Sequence, residues 1–289
     1  MEALAYAKLN LTLEVLGHRY DGYHEVRTIL QTIDLADRLE ILASADLQVE
    51  CDQPSLNGDA NLVWRAAVRL AQWVNMEPQA HIYIQKRIPI GMGLGGGSSD
   101  AAAALLALNR LWDLNLGYEE LTQVAAELGS DVPFFLMGGT ALAQGRGERV
   151  GTLPPLPYLP LTLVCPDISV LNKTASMYSC LTLAHYSDGG VTRRMVEILS
   201  GGQFVLESVP DLIHNVFEEV AAQVFPDFGR LQQEVNALAP GRFHLSGAGP
   251  ALFALPSSEI EYQWVARALK PYPVKVYLVH SVTPQPASQ

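Results

Sequence analysis

Cysteine is scarce in this chain. Its 289 residues include three, Cys51, Cys165 and Cys180. The number is odd and no C-x-x-C pair occurs, which disfavours a disulfide framework or a zinc site and suits a reducing compartment. Long apolar runs are also missing: nothing nears the roughly 18–20 residues of a membrane span. The first ten residues, MEALAYAKLN, lack a basic n-region and an unbroken apolar h-region, so no secretory signal is read. A cytoplasmic location is expected, or a plastid stroma if a transit peptide has been removed. Positive charge is in deficit, with 19 Lys and Arg against 30 Asp and Glu and a net charge of −11. General nucleic-acid binding needs a basic footprint and is excluded. What remains is a hydrophobic content of 49% with 17% charged residues, a globular composition long enough for two modest domains or one large one.

Against these absences stands one concentrated feature. Residues 88–108 read IPIGMGLGGGSSDAAAALLAL. Gly91, Gly93, Gly95, Gly96 and Gly97 leave the backbone bare, so N–H groups can approach an anion. Ser98, Ser99 and Asp100 supply cap-type residues, and the alanine-rich run that follows is strongly helix-forming. Unpaired N–H donors and the positive end of the macrodipole then meet at one point, a ready site for a phosphate chain. The Walker A lysine is absent, since Gly97 is followed by Ser98. Gly91, Gly93 and Gly96 formally satisfy G-x-G-x-x-G, but Pro89 breaks the preceding strand and no acidic residue stands in the required context. With net negative charge overall, the local positive field must come from backbone, dipole, a few lysines and a divalent cation.

Strand and helix periodicities alternate without a strict βαβ rhythm, so the expectation is α+β with largely antiparallel sheets. Leu9, Leu11, Leu13 and Val15 face one way along an opening strand; Lys8, Asn10, Thr12 and Glu14 form its polar face, predicted half-exposed. A turn at 17–22 leads to extended segments at 23–33 and 39–50. A helix is predicted at 61–74 with Asn61 as N-cap, then a strand at 81–86, the glycine loop and its helix, and a helix at 118–128 stopped by Gly129. A short strand is read at 140–143. Four prolines in residues 152–160 mark the domain boundary, giving domains 1–152 and 153–289. Beyond it a strand is read at 161–165, helices at 174–183, 191–200, 211–224, 227–239 and 258–270, and a last strand at 273–280. The tail from Thr283 is read as disordered.

Several polar residues carry two readings each. Lys8 is either solvated on its strand or functional beside Asn10. Asp131 either caps a helix before Val132-Pro133 or aims a carboxylate into a cleft. His24, in Asp21-Gly22-Tyr23-His24, is a surface histidine or a neutral ring that both donates and accepts. Gly247-Ala248-Gly249-Pro250 lines a ligand or joins two strands.

Together these segments resemble the GHMP kinase superfamily. The resemblance rests on Ala7-Lys8-Leu9-Asn10-Leu11, Asp21 to His24, Pro89 to Ala102, Gly129 to Phe135 with Gly138 to Ala141, and the weaker Ser246 to Gly249. It implies a two-domain α+β fold with the active site in the inter-domain cleft, and ATP with Mg²⁺. The triple glycine and Asp-Gly-Tyr-His favour the branch acting on the 2-hydroxyl of 4-diphosphocytidyl-2-C-methyl-D-erythritol, in non-mevalonate isoprenoid synthesis, over the homoserine and mevalonate branches. By the same resemblance Lys8 and Asp131 match the catalytic pair. Pro89, Ile90, Gly91, Met92, Gly93, Leu94, Gly95, Gly96, Gly97, Ser98 and Ser99 match the nucleotide loop. Asn10, Tyr23, His24, Thr174 and Tyr178 match substrate contacts; for Tyr178, helix packing in the core stands as the other reading. Lys86 is placed to reach a diphosphate, and Ser98 or Ser99 to meet the metal, whose ligands are otherwise not assigned. The implied partner is this small molecule, with no nucleic acid or membrane, in a monomer or weak homodimer. Three positions depart from the pattern: Tyr6 stands for proline, Val216 for aspartate after Asn215, and Ala248 for serine.

Overall fold

A long antiparallel hairpin organises the computed structural model, which describes residues 1–201 and 212–284. Strand β1 (Glu2–His18) pairs with β2 (His24–Leu42) along its whole length. Their connection is fixed locally: the Asp21 carboxylate accepts from the Tyr23 N–H at 3.2 Å, and Arg19 N–H donates to Tyr23 O at 2.7 Å. Register slips at Leu11, where Asn10 faces Leu30 but Thr12 faces Ile29, as a bulge requires. The extended segments expected at 23–33 and 39–50 are therefore one continuous strand to Leu42 followed by a separate short one, β3 (Gln48–Cys51). The gap between them in the sequence pattern coincides with a second slip, at Asp34 and Leu35, where the alternation is interrupted but the pairing continues.

The free edge of β2 is shared. Its second half takes β4 (His81–Gln85), with β3 parallel beyond; its first half takes β5 (Thr140–Gly145), with β6 (Arg149–Thr152) beyond. Helices α1 (Leu62–Trp73), α2 (Gly96–Leu111), α3 (Tyr118–Leu128) and α4 (Val132–Phe135) cover one face around Leu39, Ile41, Leu70, Leu105 and Leu108. Asn61 caps α1 as expected, its side chain accepting from Val63 N–H at 2.8 Å. In the C-terminal half, β7 (Pro160–Pro166), β9 (His244–Leu245), β10 (Leu252–Ala254) and β11 (Val274–His280) form an antiparallel sheet in the order β11-β7-β10-β9. Helices α5 (Lys173–Ser179), α6 (Gly190–Ser200), α7 (Ala221–Val224), α8 (Phe228–Leu238) and α9 (Glu259–Ala268) accompany it. The expected α+β class with largely antiparallel sheets is observed; among described pairs only β3–β4 and the pairing of β1 with His214–Asn215 (β8) are parallel.

Strand β8 (His214–Asn215) replaces the start of the helix expected at 211–224. It pairs with β1, and the Asn215 side chain then accepts from Phe217 N–H at 3.0 Å, turning the chain into a 3₁₀ segment before α7. Residue 211 itself lies outside the described residues, as do 285–289 of the tail. Thr283 and Pro284 lie against Gly139 and Gly138. Among described residues no helix is long and apolar enough to cross a membrane.

The two halves share a core. Leu9, Leu11, Ile29, Ile88 and Leu94 lie in one cluster with Leu161, Leu163, Met195, Ala251 and Phe253. That packing corrects the half-exposed polar face of β1: Lys8 is 4% exposed, Asn10 3% and Glu14 1%, because C-terminal elements cover them. Burial alone would raise the Glu14 carboxyl, but bonds from Thr192 and Ser187 hold it below its ordinary value. Two glycine turns complete the junction. A Cβ on Gly93, whose φ is +80°, would stand 2.2 Å from the Ser246 carbonyl oxygen. Gly93→Ala is therefore expected to lower unfolding free energy by more than about 1 kcal/mol. Gly97→Ala, whose new methyl would meet Leu62 at an ordinary 3.6 Å inside α2, should be neutral or stabilising by up to about 1 kcal/mol. Urea denaturation of both variants checks the contrast; equal effects would refute it.

Candidate active site

The glycine loop is aimed by a buried carboxylate. Asp37, fully inaccessible on β2, accepts from the N–H groups of Arg87 at 2.5 Å and Ile88 at 2.8 Å. Its other oxygen and the Asp100 carboxylate (2.6 Å) both hold the Lys86 ammonium. Lys86 therefore anchors the loop, tied to two carboxylates where it lines the smaller of the site's two cavities. Burial pushes the Asp100 carboxyl up to about 7, with Lys86 opposing and Asp37 reinforcing the shift. Gly95, at φ +74°, is the N-cap of α2 and its neighbours Ser98, Ser99 and Asp100 lie inside the first turn, so none of them caps it. The first intrahelical bond runs from Ser99 N–H to Gly95 O at 2.9 Å, which leaves the Gly96, Gly97 and Ser98 N–H groups ahead of it for an anion.

Lys8 and Asp131 come together. Lys8 Nζ is 3.7 Å from Asp131 Oδ2 and 2.5 Å from Asn10 Oδ1. Burial pulls the Lys8 ammonium below its ordinary pKa, while Asp131 draws it back. Asn10 is oriented in turn by donating to Thr28 Oγ1 at 2.8 Å. Asp131 precedes α4 yet makes no side-chain cap bond to it, so the capping role expected for an aspartate there is not used. Its side chain is 40% exposed, open to a cavity of about 1030 Å³.

Two cavities adjoin. The larger is lined by Lys8, Asn10, Asp131, Tyr23, His24, Thr174 and Tyr178, together with Gly247 and Ala248 of the second glycine turn. The smaller, about 440 Å³, is lined by Pro89, Ile90, Gly91, Met92, Gly93, Leu94, Gly95, Gly96, Gly97 and Ser98. Gly93, Gly95, Ser98 and Lys173 line both. Ser99 does not line either: its hydroxyl donates to Tyr6 O at 2.7 Å and ties α2 to β1. In the larger cavity the His24 ring stacks on Tyr178, with centroids 4.7 Å apart and planes 22° apart. Burial and nearby His18 hold the His24 pKa down, so its ring is neutral at pH 7. Burial, reinforced by Asp131, pushes the Tyr178 hydroxyl pKa up. Tyr23 is half exposed beneath the Arg146 guanidinium, 4.8 Å from its ring centre. Thr174 is exposed at the rim.

Sequence reasoning missed Lys173, Arg146 and the bracing role of Asn215. The Asn215 amide donates to Leu245 O and Gly247 O, both at 2.8 Å, and holds the second glycine turn whatever follows it at Val216. The Gly145-Arg146-Gly147 turn was visible, but nothing local pointed Arg146 at Tyr23. Lys173 has no local signal, because its position depends on docking of α5 against the other half.

Residues 61–139 match the family model for the GHMP kinases N terminal domain. A Bacillus cereus 4-diphosphocytidyl-2-C-methyl-D-erythritol kinase is 38% identical over 278 residues, covering 95% of this chain and 94% of its own. A crystal structure of 4-(cytidine 5'-diphospho)-2C-methyl-D-erythritol kinase superposes with TM-score 0.79 at 33% identity, covering 98% of this chain and all of the other. Homoserine kinase from Cytophaga hutchinsonii shares the fold at TM-score 0.74 and 17% identity, covering 99% of this chain and 96% of its own. The chain belongs to the GHMP kinases and, within them, to the family of 4-diphosphocytidyl-2-C-methyl-D-erythritol kinases.

The ion triad behind the loop gives a test. Lys86→Met leaves two buried carboxylates without their cation, a loss of about 3–5 kcal/mol in urea unfolding at pH 8. Because burial raises the folded pKa of Asp100, its penalty grows as pH rises from the unfolded carboxylate range and is relieved by protonation. The variant should thus recover stability relative to wild type at pH 5. A deficit below about 1 kcal/mol, or one that grows on acidification, would overturn this account.

Proposed function

We propose that this chain transfers the γ-phosphoryl group of ATP to the 2-hydroxyl of 4-diphosphocytidyl-2-C-methyl-D-erythritol, giving the 2-phosphate and ADP in non-mevalonate isoprenoid precursor synthesis. The observation that carries the reading is the junction of the two cavities beside the Lys8–Asp131 pair. ATP occupies the smaller cavity, its phosphates on the glycine loop and the first turn of α2. The acceptor occupies the larger. The N-terminal half, 1–152, supplies the loop and the pair, and 153–289 supplies the opposing wall, so the cleft lies between two domains. All residues invoked belong to one chain, and the reading needs no second copy.

In the reaction Asp131 takes the proton of the acceptor hydroxyl as that oxygen bonds to the γ-phosphorus, and the bond from phosphorus to the β–γ bridging oxygen breaks. Lys8 offsets charge near the reacting oxygens; Asn10 fixes Lys8. The neutral His24 ring and Tyr178 offer polar and stacking contacts to a cytosine base, with Tyr23 and Thr174 at the same wall. Among described residues no cluster of three metal-ligating side chains occurs. That donor set fits Mg²⁺ carried by the phosphates with several waters, with the Ser98 hydroxyl as the protein oxygen at the junction. Bound there, Mg²⁺ would neutralise developing phosphate charge. Ser99 is committed to Tyr6 and is not offered.

A homoserine or mevalonate acceptor has no base for the His24–Tyr178 stack to receive. A nucleotide-binding regulator without activity has no use for an exposed carboxylate beside a buried lysine. With ATP and Mg²⁺ the protein should release ADP in the presence of the diphosphocytidyl substrate and not with homoserine or mevalonate. Asp131→Asn should lower kcat about 10²–10⁴-fold with its melting temperature unchanged. Turnover of homoserine or mevalonate alone would overturn the acceptor assignment, and undiminished turnover by the variant would overturn the base.

A further inference from the structure

Cations around the two cavities are mostly committed. Lys86 is held by Asp37 and Asp100, Lys8 by Asn10 and Asp131, and Arg146 lies over Tyr23 with Glu148 at 4.0 Å. Lys173, on the first turn of α5, differs from all of these. Among the described residues it is the one Lys or Arg that lines both cavities. No carboxylate of the described residues lies within ion-pair distance of it. Its ammonium donates instead to the carbonyl of Gly249, in the turn that also lines the junction. A half-buried ammonium that meets, among the described residues, a carbonyl and no carboxylate retains unspent attraction for an anion. The sequence also lacks a lysine in the glycine loop itself.

We propose that Lys173 is a further catalytic residue of the phosphoryl transfer, its ammonium contacting the γ-phosphoryl oxygens as the group crosses from the smaller cavity to the larger. The inference rests on the phosphotransfer reading above. Charge builds on the γ-oxygens while the old bond to the bridging oxygen breaks and the new one to the acceptor forms, and a fixed cation at the crossing stabilises that distribution. Because α5 belongs to the C-terminal half, both halves then touch the reacting group. Contact with the γ-phosphoryl group would also let Lys173 distinguish ATP from ADP.

Burial and neighbouring Lys8 lower the Lys173 pKa to about 8, with Asp131 opposing. The ionisable groups facing the same space are Lys8 on β1, Tyr23 and His24 at the start of β2, Asp131 before α4, Arg146 after β5 and Tyr178 on α5. Lys86 and Asp100, paired with each other, line the smaller cavity. The contribution of Lys173 is present below about pH 8 and is lost as pH rises through that value.

Two variants of the full chain, Lys173→Met and Lys173→Arg, test this. Lys173→Met is expected to lower kcat about 10²–10³-fold with an unchanged melting temperature. It should also weaken a β,γ-imido ATP analogue about tenfold more than ADP in calorimetric titration. Lys173→Arg should restore part of the rate. It should also abolish the fall of wild-type kcat/KM for ATP above about pH 8, because arginine stays charged. Equal weakening of ADP and analogue, or a lowered melting temperature with kcat intact, would make Lys173 a brace for Gly249 and overturn the proposal. The nucleotide titration needs no acceptor. A wild type that fails to phosphorylate the diphosphocytidyl substrate therefore sinks the acceptor reading without touching this result.

Discussion

Everything at the site depends on how closely two backbones approach. Gly93 of the first glycine turn lies against Ser246 and Gly249 of the second, with no space for a Cβ, and Gly247 lies against Lys8 and Asn10, where a Cβ would stand a tight 3.0 Å from both side chains. Backbone N–H and C=O groups of both turns therefore border one narrow junction, and so do the buried ammonium of Lys8 and the helix N-terminus of α2. A side chain at Gly93 would force the two turns apart. The distances from Lys8 to Asn10 and Asp131 would then change together.

Charge is handled by separation. The chain carries a net −11, yet it must welcome a polyanion. Carboxylates near the loop are paired: Asp37 is spent on backbone N–H groups and Lys86, and Asp100, at the wall of the smaller cavity, shares that lysine. The phosphate site is left with backbone donors, a helix dipole and the ammonium groups of Lys8 and Lys173. Negative charge elsewhere on the surface is screened over about 8–10 Å at physiological salt.

Local signals in the sequence were reliable where local chemistry decides. Asn61 before an apolar helix pattern, Gly129 after one, and the glycine loop feeding α2 all follow from short-range geometry. The 3.6-residue spacing that suggested a helix from residue 211 gave way to β8, because the edge of β1 away from β2 offered Asn215 a ladder and Phe217 N–H offered its side chain a local bond. The polar face of β1 looked half-exposed since alternation reports one buried face and is blind to a second half of the chain covering the other. Lys8 and Asp131 could be named only by resemblance, since their meeting joins β1 to a turn far along the chain. Lys86 and Lys173 show the same limit from opposite sides. One lysine looked available and is tied down, while the other gave no sign and stands open.

The core shared by Leu9, Leu11, Ile29, Leu161 and Phe253 also sets how the protein responds to its ligands. Two lobes with separate cores would melt separately, and a ligand would protect only the lobe it touches. Here one apolar cluster joins both halves and lends Ile88, Met92 and Leu94 to the wall of the smaller cavity, so losing either half exposes the packing surface of the other. Occupancy of either cavity is then thermodynamically linked to the integrity of the whole chain. Lifetime against proteolysis becomes a readout of ligand supply, since a molecule short of nucleotide or acceptor spends more time open to proteases from end to end.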